Sequence, residues 1–407
     1  MNSLKNAGIG SILDLSIEAD LDDSMLLNQT PDEIRTLFNK SADNIAQQIS
    51  TCIETAANMS KSFTAIKVTA MSSPLLLQQV SSTLVALEKS FKNMDQDKDG
   101  KVTKDEFKQL VKMLPNPTPN SNPAELEKMV DQLFNEADKD KDGRVDWVDF
   151  ACTVSLNRDE TRALFKSETS ESEKVIPGLE NEDLEDYKRV LVRMEKLCDQ
   201  AAKTHTRLMI DAEQTYFQPA VDSVALHLQE QYNNTPHVDG PLIFNTYQMY
   251  LKDAYSRLQQ DYTRAQRNGY VLAVKLVRGA YMVSERKRAL ELGLEDPICD
   301  GIEATHKSYN AGVDLMLEQM SKKKNSDLSL QSSPVVLFVA SHNKDSVIRT
   351  CERMQELELA PQSGLVMFGQ LMGMCDQISY TLGQHGYGIY KYVPYGPIHH
   401  VIPYLIR

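Results

Sequence analysis

The chain has 407 residues, enough for two or three domains or for one large barrel that carries an insertion. Its net charge is −13, which argues against a nucleic-acid partner. The six cysteines are scattered without a CxxC motif, so we expect a reducing compartment and no disulfide framework. No apolar run approaches the ~20 residues of a membrane span. The first residues resemble neither a signal peptide nor a transit helix, so either the protein is cytosolic or the sequence lacks a targeting segment.

Short apolar runs alternate along the chain with longer stretches of helical period. This pattern is typical of a parallel sheet covered by helices. Eight such units favour an α/β fold of the (β/α)8 TIM-like barrel type over an open sheet. In chain order the predicted strands are Ser11–Leu15, Ala65–Ala70, Leu208–Asp211, Leu242–Asn245, Val271–Val277, Val335–Ala340, Leu365–Phe368 and Ile389–Val393.

About 140 residues separate the second and third runs, and this gap contains two acidic loops. Residues 95–106 read DQDKDGKVTKDE, and residues 138–149 read DKDKDGRVDWVD. Each loop has carboxylates at positions 1, 3 and 5 and glycine at position 6, the spacing of an EF-hand calcium loop. The predicted ligands of the first loop are Asp95, Asp97, Asp99, Lys101 through its carbonyl, Thr103 and Glu106. Those of the second are Asp138, Asp140, Asp142, Arg144 through its carbonyl, Asp146 and Asp149.

The two loops differ at their last position, where Glu106 in the first corresponds to Asp149 in the second. Aspartate is one methylene shorter, so we expect the second loop to bind Ca²⁺ more weakly and to favour Mg²⁺. Val102 and Val145 are predicted to pair in a short sheet between the loops. A solvated acidic turn is the alternative for either loop.

These features predict a barrel with an inserted all-α EF-hand pair. The first part of the barrel covers 1–84, the EF-hand pair 85–155, a flexible return linker 156–185 and the rest of the barrel 186–407, with its final helix truncated. We expect Ca²⁺ either to modulate the barrel or only to keep the insert folded.

The ends of the predicted strands carry charged residues, and barrels place their chemistry at the C-terminal ends of strands. Lys67 lies in the second run, Asp211 ends the third, Lys275 lies in the fifth and Arg278 follows it. A charged residue in a buried strand is costly unless it is paired or functional. A basic set with one acid suits an anionic ligand. The alternative is that these groups only pair with one another across the barrel.

Six motifs at these strand ends carry a family resemblance. In chain order, LMIDAEQTYFQP, LIFNTYQMYLKDAY, KLVRGAYMVSER, VASHN, FGQLMGMCDQISY and YKYVPYGPIHHVIPYL resemble proline dehydrogenase of the eukaryotic, mitochondrial type. The resemblance runs from Gly8 to Arg407 outside the insert. It implies FAD-dependent oxidation of L-proline to Δ1-pyrroline-5-carboxylate, with electrons passed to a quinone. It also implies a peripheral membrane contact on the matrix side of the inner mitochondrial membrane.

The resemblance also implies roles for individual residues. The small residues at 279 and 280 are expected to allow close approach of the cofactor. Lys275 is expected to stabilise the reduced flavin electrostatically. The substrate-side residues are Lys67, Asp211, Leu276, Tyr281, Tyr392, Tyr404 and Arg407. The flavin-side residues are Gln248, Lys275, Arg278, Gly279, Ala280, His342 and Asn343.

The family motif ends in two consecutive arginines that grip the substrate carboxylate, whereas this sequence stops at the first, Arg407. Because charge-assisted contacts are strong, we expect weak or absent turnover for this chain. Two other functions stay open. One is oxidation of hydroxyproline by the same fold, and the other is a catalytically impaired Ca²⁺-binding interaction protein.

Overall fold

The computed structural model describes residues 4, 6–15, 29–59, 62–117, 123–167, 175–234, 240–322, 329–330 and 332–395. Within these residues eight strands close into a barrel, and a separate pair forms a small antiparallel sheet. The strands are β1 (Gly10–Leu15), β2 (Ser62–Ile66), β3 (Lys101–Thr103), β4 (Arg144–Asp146), β5 (Arg207–Ile210), β6 (Ile243–Gln248), β7 (Leu272–Val277), β8 (Val335–Ala340), β9 (Val366–Leu371) and β10 (Gly388–Tyr395).

The barrel order is β1-β2-β5-β6-β7-β8-β9-β10, and β10 pairs with β1 to close it. Every neighbouring pair is parallel, so the predicted barrel of eight strands is confirmed. The predicted boundaries differ most from the structure at the second strand. The run Ala65–Ala70 begins and ends too late, because β2 runs from Ser62 to Ile66 and Val68–Met71 forms a 3-10 turn. Lys67 therefore follows its strand rather than lying within it.

Helices cover the strands, and several begin at residues that satisfy free backbone amides. Thr30 and Glu33 form a reciprocal capping box at the start of the first helix, where Pro31 suits the first turn. None of the helices in the described ranges is both long enough and apolar enough to cross a bilayer. The helices are α1 (Pro31–Ala57), α2 (Pro74–Met94), α3 (Lys104–Met113), α4 (Pro123–Ala137), α5 (Trp147–Thr153), α6 (Asp159–Arg162), α7 (Asn181–Thr204), α8 (Gln218–Tyr232), α9 (Ala254–Asn268), α10 (Met282–Leu292), α11 (Ile302–Ser321), α12 (Lys344–Glu356) and α13 (Asp376–Gln384).

A layer of four aromatic rings fills the interior of the barrel. Phe63, Phe244, Phe338 and Tyr390 come from β2, β6, β8 and β10, which are alternate strands around the barrel. Phe63 contacts the other three with ring centroids 5.0 to 5.8 Å apart. Four side chains from alternate strands make one packed layer in this fold, so the interior is a core and not a channel.

The chain divides into two compact units. One comprises Met1–Met71, Arg193–Gln214 and Ala225–Arg407, and the other comprises Ser72–Val192 and Thr215–Val224. The first contains the barrel strands. The second contains the whole of the predicted insert, 85–155.

The second unit has its own aromatic core around the two acidic loops. Phe107 packs edge-on against both Phe134 and Phe150, and Phe91 contacts Phe150 at 5.4 Å. Strands β3 and β4 pair antiparallel with Val102 opposite Val145, as predicted. Each acidic loop is therefore held between a helix and a short strand that leads into the next helix.

Candidate active site

The parallel strands bring the predicted site residues to one rim of the barrel. Lys67 follows β2, Asp211 follows β5, Gln248 ends β6, Arg278 follows β7 and His342 lies just after β8. All of these strands point in the same direction, so their C-terminal ends share an edge. This rim is the candidate active site.

The buried ammonium group of Lys275 is paired across the barrel. Its Nζ donates a hydrogen bond to Asp211 Oδ1. The other oxygen of the same carboxylate accepts a hydrogen bond from the Tyr392 hydroxyl. The ammonium also lies 5.1 Å from the centroid of the Tyr392 ring. Three strands thus meet at one carboxylate, which fixes both the cation and the phenol.

Glu213 lies in this rim and was not among the predicted site residues. Its side chain is buried and accepts hydrogen bonds from Thr69 Oγ1 at 2.8 Å and from Tyr281 Oη at 3.2 Å. Burial raises the pKa of Glu213 to about 7, against the opposing effects of the Thr69 hydrogen bond and the positive charge of Lys67. The feature of the sequence that could have identified Glu213 as a site residue is its position in the motif DAEQ, two residues after Asp211.

Gln248 connects two loops of the rim through its side-chain amide. Its Nε2 donates to the carbonyl oxygen of Glu213 at 2.7 Å, and its Oε1 accepts from the backbone N–H of Ala280 at 3.2 Å. Gly279 has a φ of 146°, and a Cβ there would lie 2.3 Å from the Tyr250 ring. Glycine is therefore explained at position 279, because a side chain there would clash with the Tyr250 ring.

Arg278 is a half-buried cation held by neutral groups. Its guanidinium donates to Ser341 Oγ at 2.7 Å, to Ser346 Oγ at 2.9 Å and to His306 Nδ1 at 3.1 to 3.2 Å. It also stacks 4.3 Å from the Tyr309 ring centroid. Burial lowers its pKa. Among the described residues no carboxylate pairs with it, so the guanidinium fits an added anion such as a pyrophosphate.

His342 and Asn343 form backbone contacts at the end of β8. His342 Nε2 accepts a hydrogen bond from the backbone N–H of Leu371, and burial lowers the pKa of its imidazole. Asn343 Oδ1 caps α12 by accepting from Ser346 N. Lys391, which was not among the predicted site residues, is fully buried and pairs with Asp376 at 2.8 Å while donating to the carbonyl of Met374. Lys391 could have been found from the sequence as a charged residue inside an apolar run.

Leu276 lies on the opposite face of β7 from Lys275, and its assignment to the substrate pocket stays a prediction. The side chain is fully buried and points toward α11, where a Cβ on Gly312 would lie 3.4 Å from it. Successive residues of a strand face opposite sides, and Lys275 takes the side that faces Asp211. Tyr404 and Arg407 lie outside the described residues.

The first three aspartates of each acidic loop are brought together. The oxygens of Asp95, Asp97 and Asp99 lie within 4.8 Å of one another, and so do those of Asp138, Asp140 and Asp142. The structure does not add Glu106 to the first group. Its Oε2 instead accepts hydrogen bonds from the backbone N–H and the hydroxyl of Thr103, which makes a capping box for α3.

The remaining predicted ligands of the second loop also take other partners. Asp146 caps α5 by accepting from the backbone N–H of Asp149 at 3.1 Å. The Asp149 carboxylate lies 3.3 Å from Lys139 Nζ.

The two loops are connected by reciprocal ion pairs. The Arg144 guanidinium of the second loop pairs with Asp97 at 3.1 Å and with Asp99 in the first. Lys101 of the first loop pairs with Asp140 at 3.5 Å and with Asp142 in the second. Residue 7 of each loop therefore neutralises the acids of the other.

The barrel with charged groups at its strand ends has the architecture of a (β/α)8 enzyme, and comparison with known proteins identifies the family. A family model described as proline dehydrogenase matches residues 1–407. Proline dehydrogenase 1, mitochondrial, of Homo sapiens is 38% identical over 361 residues, covering 88% of this chain and 58% of that protein. The Caenorhabditis elegans protein of the same name is 33% identical over 382 residues, covering 92% of this chain and 58% of that protein. The chain belongs to the proline dehydrogenase family.

Two further similarities are relevant. Hydroxyproline dehydrogenase of Bos taurus is 45% identical over 218 residues, which cover 53% of this chain and 45% of that protein. The crystal structure of proline utilization A (PutA) from Bdellovibrio bacteriovorus, inactivated by N-propargylglycine, covers 100% of this chain and 30% of that chain. Its TM-score is 0.58 at 15% identity, which supports the fold alone. The chain spans less than two thirds of the length of the curated relatives it matches.

The pairing of Lys275 with Asp211 leads to a testable expectation. Replacing Lys275 by Met leaves a largely buried carboxylate without its cation and costs about 3–5 kcal/mol of unfolding free energy. The double variant Lys275→Met/Asp211→Asn removes both charges and retains an acceptor for Tyr392. We expect it to be less destabilised than Lys275→Met alone, as measured by urea denaturation. Strictly additive costs would contradict the pairing.

Proposed function

We propose that this chain binds FAD at the rim of the barrel and oxidises L-proline to Δ1-pyrroline-5-carboxylate. The observation that carries the proposal is the set of fixed cations at the strand ends. Arg278 lacks a carboxylate partner among the described residues, and Lys275 is fixed by Asp211. Family membership supports the same reaction, and the family is FAD-dependent in general.

The residues that would hold the flavin have suitable chemistry. Arg278 offers a planar, permanently charged group for the pyrophosphate. His342 and Asn343 supply polar atoms near it, and Gln248 together with the Gly279–Ala280 backbone supplies amide groups. When bound, FAD supplies the hydride acceptor for the ring carbon beside the proline nitrogen, and the protein orients that carbon.

The substrate side of the proposed site combines a cation, an acid and phenols. Lys67 would attract the proline carboxylate. Asp211 holds the Tyr392 phenol, and Glu213 accepts from the Tyr281 phenol. Two rigidly held aromatic side chains would limit how the five-membered ring can lie, which is the positioning that hydride transfer requires.

Electrons from proline oxidation would pass on to a quinone, which requires contact with a membrane surface. Several relatives are named mitochondrial proline dehydrogenases, which supports a mitochondrial location. The matrix side of the inner membrane is the place implied by the family resemblance.

We further propose that 85–155 is an EF-hand pair that binds Ca²⁺ in its first loop and Ca²⁺ or Mg²⁺ more weakly in its second. The three converging aspartates of each loop and the paired strands β3 and β4 support this. A divalent ion in the first loop would have to displace Arg144 from Asp97 and Asp99. Ca²⁺ binding would therefore change the ion pairs that connect the two loops.

Hydroxyproline oxidation is the second candidate, because the match to hydroxyproline dehydrogenases is 45% identical over its 218 residues. Competing L-proline and trans-4-hydroxy-L-proline in one assay separates the two, since the ratio of their kcat/KM values measures specificity directly. A ratio that favours hydroxyproline would replace the first candidate by the second. If neither substrate is oxidised, the remaining candidate function is that of a Ca²⁺-binding interaction protein.

The role of Arg278 is tested by flavin retention. We expect Arg278→Ala to weaken FAD binding about 10- to 150-fold, because charge-assisted hydrogen bonds are worth about 1.5–3 kcal/mol each. The flavin-to-protein absorbance ratio after gel filtration measures this. Arg349→Ala is the matched control, since Arg349 is half-exposed on α12 and pairs with Asp314. Equal flavin content in both variants would contradict the role.

The metal proposal predicts unequal sites by titration calorimetry. We expect one tight and one weak Ca²⁺ site in the unmodified chain. Asp149→Glu should strengthen the weak site, because the longer side chain reaches bidentate coordination. Arg144→Gln should strengthen the tight site, because Asp97 and Asp99 lose their competing cation. Lys108→Gln, which removes a surface pair with Glu127, is the control. Two equally tight sites would be inconsistent with the proposal.

A further inference from the structure

One buried glutamate connects the two sides of the proposed site, through its carboxyl group and its backbone carbonyl. Glu213 is 4% exposed and lies two residues after Asp211. Its carboxylate accepts hydrogen bonds from Thr69 and Tyr281, while its carbonyl oxygen accepts from Gln248. These partners belong to the segments that follow β2 and β7 and to the end of β6. A single residue therefore holds three strand ends.

The partners of Glu213 fall on both sides of the proposed reaction. Tyr281 is a substrate-side residue, and Gln248 is a flavin-side residue whose Oε1 also holds the Ala280 backbone. We propose that Glu213 is a positioning residue of the proposed proline oxidation, which holds the Tyr281 phenol and the Gln248 amide in one fixed arrangement. This inference rests on the proposed function.

The charges around Glu213 make its ionisation relevant to substrate binding. Among the described residues, the groups that face it include Lys67, Asp211, and the hydroxyls of Thr69 and Tyr281. Burial and the negative charge of Asp211 raise the pKa of Glu213, while Lys67 and the two hydroxyls lower it, and the result is about 7. Once ionised, Glu213 partly offsets the positive charge of Lys67, which would otherwise attract the proline carboxylate. The affinity for L-proline therefore falls as pH rises.

The same raised pKa affects stability. In the folded protein Glu213 holds its proton up to about pH 7, whereas its ordinary pKa is 4.5. The folded state therefore binds the extra proton between these values. The stabilising contribution is fully present at pH below the ordinary pKa and is lost as pH rises through the folded value. Glu213→Gln removes this dependence, so its stability relative to the unmodified protein improves as pH rises.

The test compares the flavin-loaded protein with its Glu213→Gln variant between about pH 6 and about pH 8. Between these pH values we expect the KM for L-proline to rise more in the unmodified protein than in the variant, by a factor of about three to ten. This factor corresponds to the net contribution of about one hydrogen bond. Glu213→Ala should also lower kcat, because Tyr281 and Thr69 lose their acceptor. Glu230→Gln, which alters a partly buried glutamate on α8 that pairs with Arg264 at 3.0 Å, is the control and should keep the unmodified pH dependence.

A readout that does not need turnover separates this proposal from the proposed function. Infrared difference spectra between the two pH values should show loss of one protonated carboxyl band that is missing in Glu213→Gln. Because turnover of this chain is expected to be weak, single-turnover reduction of the bound flavin by L-proline decides the proposed function. If the flavin is not reduced, the proposed function fails, and the affinity for L-proline by calorimetry then replaces KM. Identical pH dependence in the unmodified protein and Glu213→Gln, or no difference in the carboxyl band, would overturn the role of Glu213.

Discussion

A buried ammonium group needs a partner, and this constraint organises the rim of the barrel. Lys275 extends from the middle of β7, where it is 4% exposed. Asp211 supplies the opposite charge from the end of β5, and Tyr392 of β10 occupies the second carboxylate oxygen. Removing an ion from water costs several kcal/mol, so this arrangement is stable only while all three groups are in place. The closed parallel barrel makes that possible, because strands that lie apart in the sequence end at the same rim.

The two cations of the site differ in whether a carboxylate compensates their charge. Lys275 has an internal carboxylate partner, so its charge is largely compensated before any ligand arrives. Arg278 is held only by hydroxyl, imidazole and aromatic groups among the described residues, so its charge is still available. A cation whose charge is compensated is suited to stabilising a neighbouring group electrostatically. A cation whose charge is not compensated is suited to binding an anion. The division fits a site that holds both a phosphate-bearing cofactor and a reacting ring.

The sequence predicted the barrel because its strands are buried on both faces and therefore form continuous apolar runs. It misplaced β2, because the apolar character continues through Val68–Met71 after the strand has ended. The face that Leu276 takes was not predictable, because a motif match does not state which face of a strand a residue takes. Glu213 and Lys391 were missed because their roles depend on burial and on partners distant in sequence. Those properties exist only once the strands have been brought together.

We propose that the barrel rim binds a flavin which L-proline reduces. The most direct measurement is the visible absorbance of the purified, flavin-loaded protein after anaerobic mixing with L-proline. The account predicts that the yellow flavin absorbance is bleached in a proline-dependent manner and that Arg278→Ala, depleted of flavin, shows no such change. A flavin that is bound but keeps its absorbance at saturating L-proline, or a protein that binds no flavin at all, would contradict it.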